Sequence, residues 1–327
     1  MSNVVVTGGY GFIGSHLVSA LLGRGDSVTV FDVAKGDTRD RGIDFDGHTN
    51  FRFVPGDITD LSALEKAVTS SVDTVFHLAA VVGVKNYVEN PLRVVDVNVA
   101  GTRNVLDLCH RYGAHMVLAS TSEVFGKNPS PPFAEDDDRV LGSTRVSRWS
   151  YSTSKAMAEH LAFAMYTTYA LPVTVVRYFN VYGPRQNPIF VISQSIHRIL
   201  NGHPPLLYDT GEQTRCFTYV DDAIAGTLLA ADSNVAIGEA YNIGSMTETT
   251  IRDVVGLAIK IANVDSVTSA EFVDAAAHYG AHYEDIPRRI PDTTKAQREL
   301  GWRLRVDIEE GIGRTVDWMR ANSWYLQ

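Results

Sequence analysis

A run of closely spaced glycines near the amino terminus constrains this chain more than any other feature. Residues 7–14 read Thr-Gly-Gly-Tyr-Gly-Phe-Ile-Gly, between a strand-like segment, Asn3–Thr7, and a helical pattern over Phe12–Gly23. Glycines at this spacing let the backbone turn sharply and approach a pyrophosphate, whose charge then lies at the positive end of the helix dipole. The run therefore predicts a dinucleotide site. Its expected contacts are Gly8, Gly11, Phe12, Ile13 and Gly14.

The position of Asp32 indicates which dinucleotide binds. Asp32 ends the second predicted strand, about 20 residues after the glycine run. A carboxylate there accepts hydrogen bonds from the ribose hydroxyls and repels a 2′-phosphate, so it favours NAD over NADP. Asp57 follows the third predicted strand and can reach the adenine edge, although an aspartate that only caps a turn is a second interpretation.

Short β-branched runs alternate with helical patterns through the first half of the chain, which is typical of βαβ units. The segment 4–6 (Val-Val-Val) is apolar on both faces, as in a parallel sheet covered by helices on both sides. We therefore predict an α/β fold with a doubly wound parallel Rossmann sheet and a smaller mixed α/β substrate lobe. Residues 1–180 are expected to form the NAD-binding domain and 181–327 mainly the substrate-binding lobe, with a strand near 240–243 returning to the sheet.

Composition narrows the class of protein. The chain has 327 residues, of which 45% are hydrophobic and 20% charged, as in a soluble globular protein with a sizeable core. Its net charge of −9 repels phosphate backbones and acidic membranes, so we expect neither a nucleic-acid nor a membrane partner. The amino terminus has no cationic apolar leader, and only two cysteines, Cys109 and Cys216, are present. These features predict a cytoplasmic protein.

Tyr151 and Lys155 lie four residues apart, so a helix places both on one face. A phenol is a poor base at its reference pKa of ~10, but a neighbouring ammonium lowers that pKa toward the working pH. The run 120–122 (Ser-Thr-Ser) ends the fifth predicted strand and completes a centre that can oxidise a substrate hydroxyl. This spacing is common by chance, and a surface helix is the other interpretation of the pair; the glycine run favours catalysis.

Further segments carry a family resemblance. They are Asp57-Ile58, His-Leu-Ala-Ala at 77–80, Asn98, Thr-Ser-Glu-Val-Phe-Gly at 121–126, Tyr-Ser-Thr-Ser-Lys at 151–155, Arg-Tyr-Phe-Asn-Val-Tyr-Gly-Pro-Arg-Gln at 177–186, and Gln-Thr-Arg-Cys-Phe-Thr-Tyr-Val-Asp-Asp at 213–222. Together with the glycine run, they resemble the extended short-chain dehydrogenase/reductase family that acts on nucleotide sugars, over nearly the whole chain. Within that family, segments 121–123, 148–151 and 214–218 are most similar to UDP-glucuronate decarboxylases.

The resemblance implies roles for the matched residues. It implies Tyr151 as the base, Lys155 as a contact of the nicotinamide ribose, and Thr121 as the group that steers the sugar 4-hydroxyl. Implied substrate contacts are Asn180, Arg185 and Arg215, and implied cofactor contacts are Asp57, Ile58, Ala79 and Asn98. It also implies a UDP-sugar substrate and a homodimer formed through two helices. Segments 91–112 and 151–169 are candidates for that interface, although their apolar faces could equally cover the sheet.

Oxidation at C4 gives a 4-keto sugar from which three reactions branch. Return of the hydride to the opposite face gives a 4-epimer, and loss of water across C5 and C6 gives a 4,6-dehydratase product. Loss of CO2 from a C5 carboxylate, now part of a β-keto acid, gives a pentose. A nucleotide-sensing binding protein is the non-enzymatic alternative, and intact Tyr151 and Lys155 disfavour it.

Glu123 discriminates between these reactions. Epimerases of the family more often carry a small residue there, and the dehydratases that use an Asp-Glu pair carry aspartate where this chain has Ser122. The pair Ser122 and Glu123 beside Thr121 therefore favours a UDP-glucuronate decarboxylase, with a 4-epimerase second and a dehydratase third. A solvated glutamate at a strand end is the structural interpretation of Glu123.

Two groups of residues carry weaker signals. His278 and His282 are helix-spaced and precede Glu284, but incidental histidines in a loop are the preferred interpretation, and we predict no metal site. Arg288 and Arg289 are expected either near the nucleotide phosphate or on the surface, and the sequence does not choose between these positions.

Overall fold

A seven-stranded parallel sheet is the centre of the fold. The structure, a computed structural model, describes residues 1–33, 45–274, 286 and 288–326. The strands of the sheet are β1 (Asn3–Thr7), β2 (Ser27–Asp32), β3 (Phe51–Pro55), β4 (Thr74–His77), β5 (His115–Thr121), β6 (Val173–Tyr178) and β11 (Glu239–Ile243). They lie in the order β11-β6-β5-β4-β1-β2-β3, and every neighbouring pair is parallel. The predicted doubly wound sheet is confirmed.

Helices cover the sheet, and three small sheets lie in the second half of the chain. The helices are α1 (Phe12–Gly23), α2 (Leu61–Leu64), α3 (Val84–Glu89), α4 (Pro91–Val95), α5 (Thr102–Tyr112), α6 (Arg148–Tyr169), α7 (Val191–Leu200), α8 (Val220–Asp232), α9 (Ile251–Ala262), α10 (Thr294–Glu299) and α11 (Ile308–Ala321). The short strands are β7 (Val181–Tyr182), β8 (Leu206–Tyr208), β9 (Thr214–Arg215), β10 (Thr218–Tyr219), β12 (Thr249–Thr250) and β13 (Glu271–Val273). They pair as β7 with β10, β9 with β12, and β8 with β13.

The core explains why the central strands are apolar at successive positions. Val4 and Val6 belong to the hydrophobic cluster on one face of the sheet, whereas Val5 belongs to the cluster on the other face together with Phe31 and Val75. Because neighbouring side chains of a strand point to opposite faces, a strand that is covered on both sides must be apolar throughout. None of the helices that the structure describes is long and apolar enough to cross a membrane.

The predicted helix 91–112 is wrong as a single element. The structure breaks it into α4, a π-helical segment Asp96–Gly101 and α5. The wider π turn lets the Asn98 side chain bond the backbone of Val81, accepting from its N–H at 2.8 Å and donating to its carbonyl at 3.3 Å. A π turn adds one residue to a helix, and this changes the periodicity of the sequence too little to be predicted from it. Such turns are frequent at functional sites.

Candidate active site

The candidate site is a cavity of about 810 Å³ at the carboxyl ends of the parallel strands. It opens beside the neighbouring strands β1 and β4, where the strand order of the sheet reverses direction. Doubly wound sheets bind their ligands in the crevice at this point. The lining comes from the glycine run, the ends of β4 and β5, the start of α6, and two arginines of the second half, Arg215 and Arg289.

The glycine run forms a close-fitting turn in the cavity wall. Gly8 has a positive φ of 71°, and a Cβ built there would lie 2.8 Å from the backbone nitrogen of Ala79. A Cβ on Gly14 would lie 2.1 Å from the Gly8 carbonyl oxygen. Only glycine fits at these two positions, and helix α1 begins at Phe12 with its amino terminus at the cavity. The wall therefore fits a pyrophosphate.

Asp32 lines the same cavity and also braces the glycine run. Its carboxylate accepts hydrogen bonds from the backbone N–H of Tyr10 at 3.0 Å and of Val33 at 2.8 Å. The carboxylate thus lies beside the glycine turn, where the ribose of a bound dinucleotide is expected. Asp57, Ile58 and Ala79 line the cavity as well.

Replacing Asp32 tests the preference for NAD. Asp32→Ala should weaken NAD binding by roughly tenfold or more and narrow the preference for NAD over NADP, because it removes the ribose acceptor and the charge that repels a 2′-phosphate. Asp32→Asn is the matched control, since it keeps an acceptor oxygen for the Tyr10 N–H but removes the charge. Calorimetric titration with both dinucleotides gives the ratio of the dissociation constants for NADP and NAD. Equal affinity of the unaltered protein for NAD and NADP would contradict the assignment.

Asn98 lies outside the cavity lining. Its side chain is 1% exposed. It is hydrogen-bonded to the backbone of Val81 and to the Ser154 hydroxyl, to which it donates at 3.1 Å. Val81 itself lines the cavity. Asn98 therefore shapes the wall from behind, through its bonds to Val81, and its expected direct contact with the cofactor stays a prediction.

Tyr151 lies deep in the cavity, near the start of α6. Its ring stacks on that of Tyr87, with centroids 4.7 Å apart and an angle of 11° between the planes, and its phenol shares a hydrogen bond with Thr121. Burial raises the pKa of Tyr151 above its usual value and the negative charge of Glu123 raises it further, whereas Thr121 and Arg289 lower it.

Lys155 is not among the groups that lower the pKa of Tyr151, in contrast to the expectation from their spacing. Lys155 lies one helical turn further along α6, lines the cavity and is 4% exposed. Burial lowers the pKa of Lys155 to about 8, and the charge of Glu159, a further turn along, opposes that shift. The ammonium of Lys155 is therefore itself sensitive to its surroundings.

Glu123 is held between two buried arginines. Its carboxylate lies 2.8 Å from Arg289 Nη1 and 3.5 Å from Arg148 Nη2, and both arginine side chains are less than a tenth exposed. Burial acts to raise the pKa of Glu123, but the charges of Arg289 and Arg148 outweigh it and the pKa is lowered. Glu123 is therefore an anion at neutral pH, and the interpretation as a solvated strand-end glutamate is wrong.

Four further residues were expected in the site, and three of them, Asn180, Arg215 and Ser122, line the cavity. The Ser122 hydroxyl lies 3.4 Å from Arg289 Nη1. Arg185 does not line the cavity. Its guanidinium contacts helix α1 instead, at 3.2 Å from the Ser19 hydroxyl. This side chain is directed to the surface of α1, and the expected contact of Arg185 with substrate stays a prediction.

The structure also separates the two adjacent arginines. Arg289 is 5% exposed and reaches Glu123, while Arg288 is exposed and pairs with Glu248, with both nitrogen–oxygen distances 2.8 Å. Neighbouring residues of an extended chain point in opposite directions, so one side chain enters the site and the other leaves it. The segment with His278, His282 and Glu284 lies outside the described residues. Among the residues that are described, no three histidine, cysteine or acidic side chains cluster as for a metal.

The sequence is similar to a known family along most of its length. The family model described as GDP-mannose 4,6 dehydratase matches residues 5–315. The chain belongs to this family. The predicted membership of the extended short-chain dehydrogenase/reductases is thereby confirmed, and so is the prediction of an NAD-dependent enzyme that modifies nucleotide sugars.

Three similar proteins illustrate the range of the family. The chain is 40% identical over 321 residues to UDP-N-acetyl-alpha-D-glucosaminuronate decarboxylase of Bacillus cytotoxicus, covering 97% of each chain. It is 34% identical to UDP-glucuronic acid decarboxylase 1 of Xenopus tropicalis, covering 99% of this chain and 75% of the relative. The crystal structure of UDP-glucuronic acid 4-epimerase from Bacillus cereus, in complex with UDP-glucuronic acid and NAD, is 29% identical with a TM-score of 0.84, covering 98% of this chain and 99% of the other.

Proposed function

We propose that this chain is an NAD-dependent decarboxylase of a UDP-hexuronate, with UDP-glucuronate as the first candidate substrate. The observation that carries the proposal is the ionised Glu123 held by Arg289 and Arg148 beside Thr121 and Tyr151. The names of the relatives at 40% and 34% identity support decarboxylation, and the first of them makes an N-acetylated hexuronate the second candidate substrate.

The cofactor is held by the first part of the chain. The amino terminus of α1 and the glycine turn would bind the pyrophosphate, and Asp32 the adenosine ribose. Asp57, Ile58 and Ala79 would form the adenosine wall. When bound, NAD+ would supply an acceptor for the C4 hydride, a donor for its return, and a positive charge.

Tyr151 acts in the first step. Its phenolate takes the proton of the sugar 4-hydroxyl. Thr121, which shares a hydrogen bond with Tyr151, holds that hydroxyl in place. Lys155 lines the same cavity, where it would hold the nicotinamide ribose and supply positive charge. Tyr87, stacked on the phenol ring, fixes its plane. The product of this step is a 4-keto sugar whose C5 carboxylate belongs to a β-keto acid.

Glu123 acts in the second step. Its negative charge opposes a tight ion pair between the substrate carboxylate and Arg289. The bound substrate carboxylate is therefore less stable than it would be if Arg289 had no other partner. The C5–C6 bond breaks, its electron pair moves into the C4–C5 enolate, and CO2 leaves. The new charge lies on the C4 oxygen near Thr121 and Tyr151, away from Glu123. A proton from water ordered by Glu123 and Ser122 is then added at C5, and the hydroxide left behind takes up a proton from solvent. Tyr151 gives its proton back to the C4 oxygen when the hydride returns to C4, which yields the UDP-pentose.

The nucleotide is bound by the second half of the chain. Asn180 and Arg215 line the cavity on that side, and Arg215 supplies a positive charge for the diphosphate in a protein whose net charge is −9. We assign both residues to the UDP-sugar.

The experiment that tests this function measures CO2. The purified protein is incubated with UDP-glucuronate, and in parallel with its 2-N-acetylated analogue, each labelled with carbon-13 at C6. Release of labelled CO2 from either substrate, with a UDP-pentose as the product, supports the proposal. A 4-epimerase is the second candidate, favoured by the likeness to the UDP-glucuronic acid 4-epimerase structure. Conversion to UDP-galacturonate without CO2 would establish it instead.

We also propose that the protein is a cytoplasmic homodimer. Helix α4 packs against α6, and the pair carries exposed apolar side chains: Leu92 is 72% exposed, Val95 40% and Met157 45%. Exposed apolar side chains on packed helices are typical of a subunit interface. Both cysteines are buried and unpaired, as expected in a reducing compartment.

Charged substitutions on these helices test the dimer. Leu92→Arg combined with Met157→Arg should convert a particle of twice the chain mass into one of the chain mass, because two buried charges cannot be paired across a two-fold axis. Light scattering on the eluting protein measures the mass. Leu229→Arg, which alters a similarly exposed leucine on α8, is the matched control and should stay dimeric. A monomeric unaltered protein would refute the interface.

A further inference from the structure

A third ionisable side chain, Glu159, lies on the catalytic face of α6. Tyr151, Lys155 and Glu159 follow each other at intervals of four residues, so they lie above one another along the helix. Their exposed fractions are 7%, 4% and 6%. A carboxylate is rarely buried so completely unless it is paired, and the mechanism above does not use Glu159.

The carboxylate of Glu159 is held by two strand ends. Arg177 of β6 binds both of its oxygens, with Nε at 3.0 Å and Nη2 at 2.7 Å, and the hydroxyl of Ser120 in β5 donates to it. Arg177 is itself held, since it donates to the backbone carbonyl of Glu135 at 2.6 Å and lies over the ring of Phe125. Glu159 therefore has a fixed place behind Lys155.

Lys155 shares the cavity wall with neutral and with charged groups. His77 at the end of β4 is buried, and burial together with the charge of Lys155 lowers its pKa to about 3, so it is neutral. Besides Lys155, the titratable or charged side chains that line the cavity are Tyr10, Asp32, Asp57, Tyr87, Arg93, Glu123, Arg148, Tyr151, Tyr178, Tyr182, Arg215 and Arg289. Glu123 is already paired with Arg148 and Arg289. Glu159 is the group that opposes the effect of burial on Lys155.

We propose that Glu159 is a positioning residue whose buried charge, one helical turn from Lys155, keeps Lys155 protonated. Glu159 does not contact substrate or cofactor, because its oxygens are bound by Arg177 and Ser120 on the far side of Lys155. The inference deepens the proposed function, since the importance of a charged Lys155 rests on it. Without this charge, Lys155 would lose its proton at a pH closer to neutrality.

The competing role for Glu159 is purely structural, as the counter-charge of Arg177. Three variants separate the two roles. Glu159→Gln removes the negative charge of Glu159 and leaves the buried Arg177 without its counter-charge. Glu159→Gln with Arg177→Met removes both charges at similar volume. Arg177→Met alone leaves the Glu159 charge without its partner. Glu135→Gln is the matched control, because it removes a neighbouring carboxylate while its backbone contact to Arg177 persists.

The test follows the titration of Lys155 directly. The enzyme, with its bound cofactor, is labelled with carbon-13 at the lysine ε-carbons, and the resonance of Lys155 is assigned by its loss in Lys155→Met. A lysine with a pKa of about 8 titrates well before ordinary lysines near ~10.4. The double variant should shift this titration to lower pH by roughly one unit, and Arg177→Met alone should shift it to higher pH. Glu135→Gln should leave it in place.

The alkaline limb of the pH profile of kcat/KM for UDP-glucuronate should move in the same direction as the Lys155 titration in each variant. An unchanged Lys155 titration in a folded double variant would overturn the inference and leave Glu159 as a structural partner of Arg177. If the glutamine variants fail to fold, Arg177→Met decides: a downward or absent shift overturns the proposal. The resonance requires no turnover, so a shifted titration in a protein that releases no CO2 would refute the proposed function and retain the role of Glu159.

Discussion

Tyr151→Phe is expected to lower the rate of CO2 release from UDP-glucuronate by about 100-fold or more, with the fold and NAD binding unchanged. The phenolate of Tyr151 is the group that takes the proton of the 4-hydroxyl, and phenylalanine keeps the stacking on Tyr87 while it removes the oxygen that Thr121 bonds. Single-turnover absorbance of NADH and release of labelled CO2 should fall together, because oxidation at C4 precedes decarboxylation.

Tyr178→Phe is the matched control. Tyr178 also lines the cavity, and its hydroxyl bonds Thr227 at 2.7 Å. Burial raises the pKa of Tyr178 to about 12, and the proposed mechanism gives it no proton transfer, so this variant should stay within a few-fold of the unaltered enzyme. A Tyr151→Phe enzyme that turns over equally fast would remove Tyr151 from the mechanism.

Glu123→Gln is expected to separate the two steps. Glutamine lacks the charge that opposes an ion pair between the substrate carboxylate and Arg289, so the carboxylate should be bound more stably and leave more slowly. Tyr151 and Lys155 are untouched, and oxidation at C4 should proceed. NADH and the 4-keto sugar should therefore accumulate on the enzyme in a single turnover, while CO2 release slows by roughly tenfold or more.

Glu248→Gln controls for the loss of a carboxylate near the same segment. Glu248 pairs with Arg288, which faces away from the site, so its removal should leave the ratio of NADH formation to CO2 release unchanged. In an epimerase, the ketone only turns over and is reduced again, and Glu123→Gln would then leave the reaction largely intact. That result, without accumulation of NADH, would contradict the role of Glu123 in decarboxylation.

The parts of the fold that sequence could predict depend on local pattern. Strand β1 and helix α1 have the predicted bounds, because a run of three valines, a glycine turn and a largely apolar helix follow one another. Segment 61–69 also has a helical pattern, but its helix ends at Leu64. The predicted helix 151–169 begins three residues earlier, at Arg148. The ends of helices depend on tertiary contacts more than on periodicity, so a prediction from sequence is least accurate at helix ends.

The candidate site could be predicted only in part. Residues within one motif, such as Tyr151 and Lys155, were found from their spacing, whereas Arg289 reaches Glu123 across 166 positions of the chain, and no local pattern records that distance. The motif 148–151 contains Arg148, yet nothing in it indicates that Arg148 pairs with Glu123. Glu159 could have been found by extending the four-residue spacing one further turn.

The late return of β11 has a consequence for how the protein is made. During synthesis, the glycine turn, Tyr151 and Lys155 all leave the ribosome before the strand that pairs with the outer edge of β6. Until then β6 is an open edge that can pair with another chain. Arg289 emerges later still. A chain released early would carry the groups that bind a dinucleotide and remove a proton, but would lack the arginine that holds Glu123, and could not complete the proposed reaction.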